Sequence, residues 1–138
     1  MKLDEATIER IRVKLAEVCP ELPVRLVVLF GSQADGRARP DSDVDIAVQL
    51  LPKGTWSDAF RVGGCIEYLV EMEVDVVVTD DAGATLLFNV ATDGIPLYEA
   101  RAGDWWRFRL AAWRTYEEAE PARRMQRTLL QKKLGVTV

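Results

Sequence analysis

Three aspartates and one Gly-Ser pair are the residues of this 138-residue chain whose types and spacing could do chemistry. The segment LFGSQADGRARPDSDVDIAV ends its first apolar run at Gly31-Ser32, and ten residues later the next run opens with Asp43 and Asp45. Residues two apart in a strand share a face, so both carboxylates are expected on one side of a sheet. An isolated Asp-x-Asp also fits an exposed edge strand, and a third acidic residue distinguishes the two interpretations.

That third residue is Asp75, at the start of the strand-like run EVDVVV. If this run pairs beside the strand of Asp43 and Asp45, three carboxylates converge, and each raises the pKa of the others unless a divalent cation neutralises them. A ligand set made only of oxygen atoms favours Mg²⁺ or Mn²⁺ over zinc. We therefore predict a magnesium site formed by these three aspartates.

The Gly31-Ser32 pair has the chemistry of a phosphate-binding turn. Glycine has no side chain, so a phosphate can approach the backbone N–H groups, and the serine hydroxyl adds another donor. A Gly-Ser turn is common in proteins and indicates little by itself. Combined with the three aspartates, it predicts a site that holds both ends of a metal-bound triphosphate.

The composition excludes several classes of catalyst. The chain has no histidine, so Ser-His-Asp and Cys-His nucleophile systems and imidazole metal ligands are ruled out within it. Cys19 and Cys65 are isolated, which predicts free thiols and neither a disulfide framework nor a zinc site. The apolar runs are too short to span a membrane, and the N-terminal segment has the pattern of an amphipathic helix, not of a signal peptide. We expect a cytoplasmic protein without a membrane partner.

The net charge of −4 is unevenly distributed along the chain. Residues 1–100 contain 9 basic and 18 acidic side chains, a net of −9, whereas residues 101–138 contain 9 basic and 4 acidic ones, a net of +5. The acidic body argues against direct nucleic-acid binding. The basic arm is either a solvated helix face or a contact for an anionic partner.

Hydrophobic patterning predicts the element order α-β-β-α-β-α-β-α. The predicted strands are the apolar run before Gly31 and the segments SDVDIAVQLL, EVDVVVTD and GIPLYEA. Helices are predicted at the N-terminus, from Thr55 to about Glu71, over GATLLFNVATD, and in a long stretch from Gly103 to Leu134 that Pro121 interrupts. This order predicts an α/β (α+β) fold, with helices packed mainly on one face of the sheet and a C-terminal helical extension.

The C-terminal segment contains three of the four tryptophans. Trp106, Leu110 and Trp113 have the spacing of one helix face and are expected to dock the helix on the sheet. A surface for a partner protein is the alternative, because Trp, Tyr and Arg are enriched at binding hot spots. A body of this size cannot bury every aromatic side chain of the segment, so we expect some of both.

The pattern Gly31-Ser32, ten residues, Asp43-Val44-Asp45 resembles the signature of the DNA polymerase β-like nucleotidyltransferase superfamily. The small size and the runs PDSDVDIAV and EVDVVV resemble its minimal nucleotidyltransferase (MNT) branch, which includes antitoxins that pair with HEPN-domain toxins. The resemblance implies a mixed-sheet nucleotidyltransferase domain over residues 1–100, with residues 101–138 as a helical extension packed on it. It also implies a hetero-oligomer in which AMP passes from ATP to a tyrosine of a HEPN ribonuclease toxin.

The resemblance also assigns roles to individual residues. Asp43 and Asp45 would bind two Mg²⁺ ions, with Mn²⁺ as a substitute. Asp75 would bind the catalytic ion and help to deprotonate the attacking hydroxyl. Gly31 and Ser32 would hold the outer phosphates of ATP.

Two further positions bear on how the triphosphate is held. Ser42 is also expected to reach the phosphates. The family pattern Gly-Ser-x-Ala-Arg-Gly has an arginine where this chain has Asp35, and Arg37 and Arg39 follow Gly36 as possible replacements.

Two other functions are compatible with these residues. One is a nucleotidyltransferase that acts on a small molecule such as an antibiotic, for which the chain has little room to form a separate substrate domain. The other is an antitoxin that neutralises its toxin by binding alone, against which the intact set of three aspartates argues.

Overall fold

A computed structural model of the chain describes residues 3–36 and 43–135. Four strands and six helices alternate through the described residues in nearly the predicted order, with single 3₁₀ turns at Cys19–Glu21 and Thr79–Asp81. The elements are α1 (Glu5–Val18), β1 (Val24–Phe30), α2 (Ser32–Asp35), β2 (Val44–Leu50), α3 (Trp56–Val70), β3 (Val74–Val78), α4 (Ala84–Asp93), β4 (Ile95–Glu99), α5 (Asp104–Glu118) and α6 (Glu120–Lys133). The predicted α+β class is confirmed.

The four strands form one mixed sheet in the order β3-β2-β1-β4. β1 is antiparallel to both of its neighbours, whereas β2 and β3 are parallel and are joined by a crossover through α3. Because β1 runs opposite to β2 and β3, its last residues lie at the same edge of the sheet as the first residues of those two strands. This edge, which we call the carboxylate edge, contains Gly31, Asp45 and Asp75.

The main core lies between the sheet and helices α1 and α3. Ile11 and Leu15 of α1 and Ile66 of α3 are at most 1% exposed and belong to the same buried cluster as Val27 and Leu29 of β1. Each such side chain contributes about 1.5–3 kcal/mol by leaving water. The three- and four-residue spacing of the buried positions in α1 is the period of a helix with one apolar face.

A second, smaller core covers the other face of the sheet. Leu26 and Val28 of β1 and Ala47 of β2 pack there with residues of α4 and α5. Alternate residues of β1 therefore enter different cores, which is why its sequence is an unbroken apolar run. Helices α1 and α3 therefore cover one face of the sheet and α4 and α5 the other, so the helices pack on both faces and not mainly on one as predicted.

Helix α5 packs on the sheet through a different face from the predicted one. Phe108 and Ala112 are buried in the second core, whereas Trp106 and Leu110 are 54% and 41% exposed. The prediction that this face docks the helix is therefore wrong for Trp106 and Leu110, whereas Trp113 is half-buried and packs against the second core. The cause lies in the first turn of α5, where Asp104 is only 1% exposed and fixes the rotation of the helix.

The predicted helix boundaries at Thr55 and Pro121 are confirmed. The backbone N–H of Thr55 donates to the carboxylate of Asp58 at 2.9 Å, which forms the predicted capping box of α3. The long C-terminal helix breaks at Ala119, and Pro121 lies in the first turn of α6, where its missing N–H costs no helical hydrogen bond.

Candidate functional site

The carboxylate edge brings together the acidic residues that the sequence singles out. In the parallel pairing of β2 and β3, Asp45 lies directly opposite Asp75. Neighbouring strands are about 4.8 Å apart, and paired residues point to the same face of the sheet. The predicted adjacency of the two strands is confirmed, and it places two carboxylates side by side.

These carboxylates lie on the face of the sheet that α4 and α5 cover. Asp45 shares its face with Ala47, two residues along β2, and Ala47 is buried in the second core. Phe30, the partner of Asp45 across the β1–β2 ladder, packs against the same core. The acidic groups are thus next to the apolar layer formed by α4 and α5.

The electrostatics of Asp45 show that the three aspartates interact. Partial burial raises the pKa of Asp45, and the negative charges of Asp75 and then Asp43 raise it further. Asp43 precedes β2 and is exposed, as is Asp75. A half-buried carboxylate between two others is a position where a divalent cation would relieve both desolvation and repulsion.

The carboxylate oxygens of the three aspartates are suitable ligands for a hard cation, although the three side chains do not form a compact group. Within the described residues, no three His, Cys, Asp or Glu side chains are already close enough to form a metal-ligand group. The oxygen-only chemistry of Asp43, Asp45 and Asp75 is the chemistry that Mg²⁺ prefers.

Gly31 links the Gly-Ser turn to the carboxylates. It ends β1 with φ +73° and ψ −155°, a backbone conformation that is essentially restricted to glycine. A Cβ at this position would lie 2.5 Å from Oδ2 of Asp45. Glycine is therefore required for two reasons: other residues cannot easily adopt this backbone conformation, and the Asp45 carboxylate occupies the space that a Cβ would need.

The residues after Gly31 form the short helix α2, which begins at Ser32. Gln33, which the sequence reasoning did not select, is 3% exposed and accepts a hydrogen bond from the N–H of Leu3 at 2.9 Å. This contact ties the start of the chain to the Gly-Ser turn. A buried glutamine in a predicted turn has no distinctive sequence signal, since the same residue is usually exposed.

Some predicted site residues lie outside the described part of the chain. Ser42, Arg37 and Arg39 fall between residues 36 and 43, so their predicted contacts with the phosphates stay predictions. Within the described residues, the helices are all too short or too polar to cross a membrane.

Both cysteines are free, as predicted. Burial, with a smaller contribution from Cys65, raises the pKa of the Cys19 thiol to about 12, so it stays protonated and unreactive at neutral pH.

Comparison with known proteins begins with a family match. The family described as "Polymerase beta, Nucleotidyltransferase" matches residues 13–102. This span contains the Gly-Ser turn and all three aspartates. A search of curated proteins finds no significant match.

Solved structures share the fold over most of the chain. A toxin–antitoxin crystal structure with AMP-PNP aligns with a TM-score of 0.72 and 22% identity, covering 94% of this chain and 99% of that one. A complex of the tri-AMPylated Shewanella oneidensis HEPN toxin with its MNT antitoxin aligns at 0.68 and 19%, covering 90% and 98%. A protein assigned as a minimal nucleotidyltransferase aligns at 0.59 with 31% identity, covering 68% and 96%.

Proposed function

Because the chain belongs to the polymerase beta nucleotidyltransferase family, we propose that it is a Mg²⁺-dependent adenylyltransferase that modifies a protein hydroxyl and acts as an antitoxin. One observation carries the proposal: Asp45 lies opposite Asp75 in the sheet, and Oδ2 of Asp45 occupies the space beside Gly31. The proposed metal ligands and the proposed phosphate-binding turn thus meet at one edge of the sheet.

In this proposal each residue of the carboxylate edge has a task. Asp43 and Asp45 hold two Mg²⁺ ions, and Asp75 holds the catalytic one. Mg²⁺, when bound, lowers the pKa of the attacking hydroxyl and neutralises charge on the leaving phosphates. Gly31 and Ser32 hold the outer phosphates of ATP through backbone N–H groups and the serine hydroxyl.

The transfer forms one bond and breaks one. The acceptor oxygen bonds to the α-phosphorus of ATP, the bond from that phosphorus to the bridging oxygen of the β-phosphate breaks, and pyrophosphate leaves. Asp75 accepts the proton of the acceptor hydroxyl. An acceptor hydroxyl of another protein can reach the site because Asp43 and Asp75 are exposed at this edge of the sheet.

We further propose that the acceptor is a tyrosine of a HEPN-domain toxin and that the two proteins form a hetero-oligomer in the cytoplasm. The support is that proteins sharing this fold over 90% or more of the chain are crystallised with toxins, and in one of these complexes the toxin is tri-AMPylated. The fold likeness extends through the C-terminal helices and is not restricted to the nucleotidyltransferase core.

The proposal is tested by following AMP from α-labelled ATP onto a HEPN-domain protein. We expect label on that protein only when Mg²⁺ or Mn²⁺ is present, and none with the Asp45→Asn variant. Asp80→Asn is the matched control, because Asp80 is an exposed aspartate beyond the opposite end of β3. A small molecule that takes the label in place of the protein would favour the antibiotic-type alternative, and full neutralisation by Asp45→Asn would favour binding alone.

A further inference from the structure

The outer face of α5 presents apolar side chains that the fold leaves uncovered. Trp106 and Leu110 are exposed and lie four residues apart, on a different side of the helix from the buried Phe108 and Ala112. Trp113 continues this ridge at three-residue spacing, but it is half-buried and packs against the second core. Trp106 is 54% exposed. Contiguous exposed apolar side chains of this size mark interaction sites on soluble proteins.

An arginine packs against this ridge. The guanidinium carbon of Arg109 lies 5.9 Å from the ring centre of Trp106 and 4.7 Å from that of Trp113. Its Nε donates to the backbone oxygen of Ala91 on α4 at 3.0 Å. Side chains that are ordered before binding lose little entropy on association, which favours affinity.

The ridge continues into a groove of about 800 Å³ between α4, α5 and the start of α6. In its wall, Phe88 of α4 stacks on Tyr116 of α5 with ring centres 4.0 Å apart. Arg123 of α6 lies over the Tyr116 ring at 3.5 Å and donates to the Tyr116 backbone oxygen. Trp113 lines both the ridge and the groove, so the two are one surface.

Helix α6 adds a third part to this surface. None of its residues is buried. The apolar residues Met125, Leu129 and Leu130 are between 56% and 66% exposed. A helix of 14 residues that buries none of its side chains is only marginally stable in water. The helix therefore needs a partner to cover its apolar side chains.

The basic charge and the exposed apolar side chains of α6 indicate which class of partner covers it. Its basic side chains, among them Arg124 and Arg127, repel a second copy of the same helix, which argues against self-pairing. A membrane covers the apolar face of a basic helix, but it does not fill the aromatic groove that adjoins the start of α6. A protein with acidic side chains around apolar pockets can satisfy both features.

We propose that the α5 ridge, the groove and α6 form one docking surface for an acidic face of the toxin, distinct from the carboxylate edge. The inference rests on the proposed function, because the toxin is the partner that function names. It implies that the chain grips the toxin at one surface while the hydroxyl is modified at another. The matched control is Trp56 of α3, which is 45% exposed and touches only Phe60 among the aromatic rings of the described residues.

The test measures binding of the same HEPN-domain protein to Asp45→Asn variants, without ATP, so that no transfer contributes. We expect Trp106→Ala and Leu129→Ser each to raise the Kd about 30-fold, the effect of losing a hot-spot residue. Trp56→Ala is expected to leave the Kd within about twofold. Replacing Arg124 and Arg127 by alanine is expected to slow association and reduce its salt dependence.

Several outcomes separate this inference from the proposed function. Unchanged affinity in both Trp106→Ala and Leu129→Ser, with thermal melts like that of the parent, would overturn the docking surface even if AMP transfer continued. Binding of a single-stranded RNA or of anionic vesicles through these side chains, with no binding of the toxin, would also overturn it. Tight, Trp106-dependent binding without any AMP transfer by the unmutated chain would leave the surface standing and refute the enzyme.

Discussion

Replacing Gly31 by alanine tests the link between the Gly-Ser turn and the carboxylates. The backbone conformation of Gly31 costs a residue with a Cβ about 1–3 kcal/mol of strain. The new Cβ would also lie 2.5 Å from Oδ2 of Asp45, so the carboxylate has to move. We expect the free energy of unfolding to fall by about 1–3 kcal/mol. We expect AMP transfer to fall about a hundredfold, because a displacement near 1 Å in an active site has effects of this size.

Two other glycines separate strain from displacement. Gly36 has φ +84°, and no described atom lies within 4 Å of the place where its Cβ would stand, so Gly36→Ala adds strain alone. Gly64 lies inside α3 with the same open space and without positive φ, so Gly64→Ala is expected to stabilise the chain by about 0.5–1 kcal/mol. Urea unfolding followed by tryptophan fluorescence gives the stabilities, and α-labelled ATP gives the transfer rate. If Gly31→Ala reduced transfer no more than Gly36→Ala does, the reasoning about Asp45 would be wrong.

Three further predictions concern the aspartates and the nucleotide. Asp45→Asn should abolish transfer while the free energy of unfolding stays unchanged or rises, because burial and the neighbouring carboxylates raise the pKa of Asp45 in the native state; a large drop in urea unfolding would contradict this. ATP with Mg²⁺ at about 100 times its Kd should stabilise the chain by about 2.7 kcal/mol, and calorimetry that detects no binding would refute the site. Asp104→Asn should lower the free energy of unfolding by about 2 kcal/mol at neutral pH, and the exposed Glu118→Gln serves as control. The difference in stability between Asp104→Asn and the unmutated chain should shrink as the pH falls below about 4. A difference that did not change with pH would contradict the ion pairs proposed for Asp104.

The pH prediction follows from the surroundings of Asp104. Burial acts to raise the pKa of Asp104, but hydrogen bonds from the Arg107 side chain and the Arg101 backbone N–H, with the charges of Arg107 and Arg25, lower it below the ordinary 3.8. A carboxylate whose native pKa is lowered adds stability that is present above its unfolded pKa. That stability is lost as the pH falls through the native pKa.

The sequence predicts the pairing of Asp45 beside Asp75 because each step depends on a local pattern. A period of two places Asp43 and Asp45 on one face, and the apolar run around Asp75 marks a second strand of the same sheet. The contact between Gly31 and the Asp45 carboxylate could not be predicted, since it depends on the register of β1 against β2. In that register Phe30 lies opposite Asp45, which brings the next residue of β1 beside the carboxylate.

The rotation of α5 shows where local patterns stop being sufficient. Trp106 with Leu110, and Phe108 with Ala112, are both apolar pairs at four-residue spacing, so periodicity alone permits either pair to face the sheet. What distinguishes them is Asp104, whose carboxylate lies 2.8 Å from Arg107 and 3.8 Å from Arg25 of β1. This long-range pairing turns the small Ala112 toward the sheet and leaves Trp106 on the outside. The same buried carboxylate that fixes the fold of α5 therefore also creates the ridge proposed for the toxin.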